Sequence, residues 1–211
     1  MRSQVVLPLF LSLSLLGGPA NAAEQSRTVA PFDAISIKGP VNMVVQVGAA
    51  QAVQIAGDEK FIKKVGTRVV DGELVITFQG EDKGMKLDDD EKITISVPTL
   101  RAFKVEGAGQ AVVNNINAER FDLGFEGAGR LVANGKVRQL LVKANGVGAI
   151  DTKALLAQDA KVRFEGVGSV KVYASERLDL NVSGMGSLNY YGNPKKVNKS
   201  VQGIGSVRAG D

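Results

Sequence analysis

Glu106, Glu126 and Glu165 each stand immediately before a Gly-x-Gly triplet, and theirs are the carboxylates whose placement could carry chemistry. Glu106 and Glu126 belong to successive repeats, so stacking would set two carboxylates side by side. There they could hold a cation or, with Arg130, act on a sugar polymer. Two residues earlier, however, stand Lys104, Lys143 and Arg163. An acidic column beside a basic one reads as a charge-compensated solvent face, the usual way to keep stacked strands soluble. The pattern therefore assigns no catalytic residue and no metal site, and leaves these three acids as candidates for ligand contact. A second acidic group, Asp88-Asp89-Asp90-Glu91, has the oxygens Ca²⁺ favours but not the spaced ligands and central Gly of a calcium loop. With Lys83, Lys86 and Lys92 around it, it reads as a solvated loop.

What the chain lacks narrows the chemistry further. It has no Cys, which removes disulfides, thiol nucleophiles, iron–sulfur ligation and a lipid-modified N-terminal cysteine. It has no His and no Trp, which removes a Ser-His-Asp triad, a His-ligated zinc and an indole platform for sugars. Lys and Arg total 26 against 22 Asp and Glu, an excess too small and too scattered for nucleic acid. None of the Gly-x-Gly units continues as Gly-x-Gly-x-x-Gly and none is followed by Lys-Ser/Thr, so no nucleotide or other cofactor is indicated.

The elements that must position these side chains are set by the repeat itself. The first glycines, Gly107, Gly127, Gly146, Gly166, Gly184 and Gly203, are 20, 19, 20, 18 and 19 residues apart, and the second are Gly109, Gly129, Gly148, Gly168, Gly186 and Gly205. A near-constant period of this length is the mark of a solenoid. Two residues before the first Gly stand Val105, Phe125, Ala144, Phe164, Val182 and Val201; four before it stand Phe103, Leu123, Val142, Val162, Leu180 and the exception Lys199. Two after the second come Ala111, Leu131, Ile150, Val170, Leu188 and Val207. Each unit is thus expected to be a short strand, a glycine corner and a second short strand. The middle residues Ala108, Ala128, Val147, Val167, Met185 and Ile204 are expected to plug the corners from inside. The fold class expected is all-β: a right-handed parallel β-helix of about six short coils, with longer strands and a hairpin capping its N-terminal end.

That N-terminal third shows alternation without the glycine corner, at Ile35 and Ile37, at Val41, Met43, Val45 and Val47, at Val53 and Ile55, and at Ile93, Ile95 and Val97. Asp58 is placed to N-cap a short helix to Val65, and Asp71-Gly72 to turn a hairpin. Residues 1–22 read as a signal peptide: Arg2, an apolar run from Val5 to Leu16, then Ala20-Asn21-Ala22. The organisation expected is 1–22 signal peptide, 23–30 extension and 31–211 one domain, with strands over 31–98 and repeats over 99–211. No later stretch reaches the ~20 apolar residues of a membrane span. The mature protein is expected to be exported, periplasmic or secreted, and not lipid-anchored.

Phe32-Asp33-Ala34-Ile35-Ser36-Ile37-Lys38-Gly39, then Asp71-Gly72-Glu73-Leu74-Val75-Ile76, then Ile93-Thr94-Ile95-Ser96-Val97-Pro98-Thr99-Leu100 and the Gly-x-Gly units resemble, in that order, the auto-transporter adhesin head GIN domain family. The resemblance covers about Val29 to Val207. It implies an exported, mostly bacterial, β-helical domain and supplies no catalytic residues.

The function expected is therefore a non-enzymatic exported β-solenoid, a binding or adhesion-like module for an envelope polysaccharide, peptide or protein. The alternatives are a β-helical carbohydrate-active lyase or hydrolase, against which few aromatics speak, and a self-assembling envelope protein. For the latter, the rung ending near Val207 offers an open edge, though Lys195, Lys196, Lys199 and Arg208 oppose stacking there.

Overall fold

The structure, a computed structural model, describes residues 23–80 and 90–210. The expected signal peptide, Lys83, Lys86, Asp88, Asp89 and the terminal Asp211 lie outside the described residues. From Ala102 onward the chain is almost entirely strand: β8 (Ala102–Thr152), β9 (Leu155–Tyr173), β10 (Arg177–Tyr191) and β11 (Lys196–Ala209). Each pairs parallel with the one before, glycine on glycine: Gly146 with Gly166, Gly166 with Gly184, and Gly184 with Gly203. The repeat length of 18 to 20 residues is thus the offset of the ladder. Inward positions form the core, with Phe103, Phe121 and Leu131 fully buried.

The middle residues of the triplets are a correction. Val147 is 57%, Met185 50% and Ile204 78% exposed, and Ala108, Ala128 and Val167 also lie outside. The side-chain period of two runs through the corner without a break, as it must along an extended chain. Val105 and Ala111 face inward, so Gly107 and Gly109 hold the inward places between them and Ala108 points to solvent. The glycines are fixed by close approach: Gly127 has φ +131°, and a Cβ there would fall on the carbonyl oxygen of Gly107 in the rung beneath.

The N-terminal third, expected to cap the ladder, also adds parallel rungs to it. β2 (Ala34–Lys38) and β3 (Val41–Val47) lie parallel on the start of β8, with Ile35 beside Phe103, Ile37 beside Val105 and Val41 beside Gly109. Gly39-Pro40-Val41 therefore takes the place of a Gly-x-Gly. β6 (Glu73–Phe78) stacks parallel on β2, and β7 (Lys92–Val97) parallel on β3. Antiparallel pairing then closes the ladder. β5 (Val65–Val70) folds onto β6 through the turn at Asp71 (φ 50°) and Gly72 (φ 76°), where Gly and Asp tolerate left-handed backbone. β4 (Ala52–Gly57) pairs with β7, and β1 (Ala23–Ser26) with β4. One helical turn, α1 (Glu59–Lys64), starts where expected: the Phe61 amide donates to the Asp58 carboxylate at 2.6 Å. Among the described residues the fold is all-β, one 11-stranded sheet curled as a half-barrel about its apolar face.

Candidate functional site

The strand before each glycine corner turns its odd-numbered neighbours of the core outward, and stacking converts these into columns. One residue before the first Gly the column reads Lys38, Glu106, Glu126, Asn145, Glu165, Ser183; three before it, Ser36, Lys104, Gly124, Lys143, Arg163, Asn181. Two further columns lie five and seven residues before the glycine. In the first Leu141, Lys161 and Asp179 are neighbours; in the second Gln139, Asp159 and Arg177. In-register parallel pairing holds all four columns about 4.8 Å apart from rung to rung.

Glu106 is engaged by cations. Its carboxylate pairs with Lys104 on its own strand and with Lys38 on the rung below at 3.2 Å. The hydrogen bond from Lys104, and then that from Lys38, holds this carboxyl below the usual range, and Glu106 raises Lys104 in return. Glu106 is thus spoken for as a charge partner. Glu126 and Glu165 line one shallow depression of about 240 Å³, with Lys104, Lys143, Asn145 and Arg163 around them. Both are exposed, and Arg163 lies 4.0 Å from Glu165. An acid catalyst of a glycosidase is kept protonated by apolar enclosure, the reverse of this setting. Arg130 lies past the corner on the second stretch and does not line the depression. The structure therefore brings Glu126 and Glu165 together, sets Glu106 among lysines, and leaves Arg130 apart.

The larger cleft lies farther from the glycines and draws on residues the motif does not single out. It has a volume of about 560 Å³ and its charged lining is Arg120, Lys143, Lys161, Arg163 and Arg177 against Asp159 and Asp179. Arg120 is held in a two-point pair with Asp122, at 2.8 and 3.1 Å, which raises its guanidinium further. Asp179 accepts from the Asn198 amide at 2.6 Å. Among the described residues, no carboxylate comes within 4.0 Å of the charged groups of Lys143, Lys161 or Arg177. The signal for this cleft was present in the sequence, in the outward positions five and seven residues before each first glycine.

Some cations elsewhere pair across rungs, as in Lys171 with Asp151 at 3.4 Å and Lys195 with Glu176 at 2.8 Å. Among the described residues no three Asp or Glu side chains gather as a metal centre requires, and no helix is long and apolar enough to cross a membrane. The residues Asp90 and Glu91 of the acidic run lie just before β7, and their neighbours Asp88 and Asp89 lie outside the described residues.

The fold has solved counterparts. A crystal structure of a "putative adhesin" from Bacteroides fragilis superposes with a TM-score of 0.68, at 23% identity, over 90% of this chain and 98% of that one, which is a likeness of fold. A "putative adhesin" from Parabacteroides merdae (TM-score 0.46, 17% identity, 92% of this chain and 98% of that one) is more distant. So is a "putative lipid binding protein" from Parabacteroides distasonis (TM-score 0.45, 19% identity, 92% and 98%). No curated protein matches the chain. Residues 31–194 match the family described as "Putative auto-transporter adhesin, head GIN domain", and the chain belongs to that family.

Proposed function

We propose that the protein is an exported, non-enzymatic binding module of the cell envelope, which holds an extended ligand against the polar outer face of its stacked rungs. The observation that carries this reading is the open cleft of about 560 Å³ across several rungs, whose lining includes Lys143, Lys161 and Arg177 without acidic partners. An open cleft that runs across several rungs suits a polymer, an extended peptide or a protein strand better than a small molecule. The family's description as an adhesin head is in keeping with attachment to such a component.

In this reading the parallel rungs wind as a right-handed β-helix, the hand favoured for parallel crossovers, and residues 31–211 fold as one domain. Gly107, Gly127, Gly146 and their counterparts are its structural corners, and Glu126 and Glu165 border the ligand face. Residues 1–22 direct export, and a chain without Cys carries no lipid on a cysteine. The test is equilibrium binding of the protein to purified envelope polysaccharide, peptidoglycan and envelope protein fractions. Saturable binding to one fraction is expected, and none across the panel would overturn the reading.

A further inference from the structure

The ligand class can be read from the cleft itself. Lys143 and Arg163 are register partners on adjacent rungs, three residues before their glycines. Lys161 lies two residues back along the same strand as Arg163, and Arg177 two further back on the next rung, paired with Asp159 of the rung between. The four cations therefore form an oblique band across three successive rungs, from the glycine corner toward the far end of the strand. All four are exposed. Arg163 has Glu165 only at 4.0 Å, and the other three have no carboxylate within that distance.

Several cations elsewhere on the outer surface are held by acids. Lys38 and Lys104 share Glu106, Arg120 holds Asp122, Arg138 holds Glu119, and Lys171 and Lys195 hold acids on neighbouring rungs. Lys143, Lys161 and Arg177, which have no such partner, converge in one concave stretch and make a local positive field that attracts anions. The band is not uniformly basic: Asp159 and Asp179 sit within it, positioned to accept hydrogen bonds from hydroxyl groups. Alternating carboxylate-binding and hydroxyl-binding groups is the chemistry of a sugar chain that carries acids. Nucleic acid would call for aromatic stacking platforms, and no aromatic side chain lines this cleft.

We propose that the cleft formed by Lys143, Lys161, Arg163 and Arg177 binds an anionic polysaccharide, one whose sugars bear carboxylates, with the chain laid obliquely across the rungs. The proposal rests on the reading of the protein as a binding module and names what that module binds.

The test compares polygalacturonate with neutral dextran of similar length, using the full-length chain recovered from the envelope of an expression host and isothermal titration at low and at high salt. Binding to polygalacturonate, weakened by salt, and none to dextran is the expected result. Charge reversal by Lys161→Glu with Arg163→Glu is expected to weaken binding by about tenfold or more. Lys60→Glu with Arg68→Glu makes the same change in net charge on α1 and β5, away from the cleft, and should leave affinity within about twofold. The milder Lys161→Gln with Arg163→Gln variant, checked for the wild-type circular dichroism spectrum, separates loss of the site from loss of the fold. Equal binding to both polymers, no binding to polygalacturonate at low salt, or equal weakening by the two charge-reversal pairs would overturn the proposal. If the protein still binds an envelope fraction in those cases, the binding module stands and only its anionic ligand falls.

Discussion

Gly127 stacks on Gly107 so closely that the carbonyl oxygen of the lower glycine occupies the space in which a Cβ on the upper one would sit. The same relation joins Gly146 to Gly127 and continues up the ladder. Two penalties coincide at Gly127, since its φ of +131° is also a conformation that residues with a Cβ rarely adopt. Gly127→Ala is therefore expected to cost about 3 kcal/mol or more, the sum of a strained backbone and a backbone clash that no side-chain rotation relieves. Urea denaturation of the purified protein measures it. A loss below about 1 kcal/mol would mean that the rungs can separate locally at little cost.

The residue between the glycines should behave in the opposite way. Met185 and Ile204 stand outside at 50% and 78% exposure, so neither fills the core. Met185→Ser and Ile204→Ser are expected to change stability by no more than about 0.5 kcal/mol, whereas Leu131→Ala, at a fully buried position, should cost about 2–5 kcal/mol. A large loss at Met185 or Ile204 in thermal melts would restore the idea that these side chains plug the corner.

Much of this arrangement was legible in the residues because a strand has period two and the repeat marks its own register. Phe103, Leu123, Val142 and Val162 could be placed in one buried column from spacing alone, and the helix cap at Asp58 and the turn at Asp71-Gly72 follow from local chemistry. The direction of Ala108 and its counterparts is the opposite of the one a corner that interrupts the alternation would impose. Counting in twos from Val105 to Ala111 carries straight through it. The N-terminal rungs were hidden for another reason. Val41 meets Gly109 across 68 residues of chain, and Gly39-Pro40-Val41 keeps only one of the two glycines by which the motif is recognised. The cationic cleft is not legible in any one column, because Lys161 and Arg177 belong to different columns and meet only obliquely, across rungs.

A second kind of corner depends on asparagine. Asn115 adopts φ 60°, and its amide donates to the Asn134 side-chain oxygen at 2.9 Å while the Asn134 amide donates to the Asn114 side-chain oxygen at 2.7 Å. One side chain thus ties the left-handed turn of one rung to the next. Asn134→Ala removes both bonds and leaves a half-buried turn unsupported, so a loss of about 1–2 kcal/mol is expected. Faster hydrogen exchange at the Asn115 amide should accompany it, and unchanged protection there would show that the bond contributes little.

Acid should separate Glu106 from the other surface carboxylates. Its carboxyl is lowered first by the Lys104 hydrogen bond and then by that from Lys38, and Lys104 is raised by Glu106. A lowered carboxyl contributes stability that is fully present above the unfolded value of about 4.3 and is lost as pH falls through the lower folded value. A raised lysine contributes stability that is fully present below its unfolded value of about 10.4 and is lost as pH rises through the higher folded one. The cluster is therefore fully effective between those limits. Because the Glu106 side chain is still 25% exposed and both lysines more so, solvent screening holds the whole effect to about 0.5 kcal/mol. Glu106→Gln should thus be slightly less stable than wild type at neutral pH and should converge with it in acid, once pH has fallen through the folded value of Glu106. Parallel urea titrations at the two pH values measure the difference. A gap that persists unchanged in acid would mean that Gln disturbs packing at the corner, and that the lysines owe their positions to something other than the charge of Glu106.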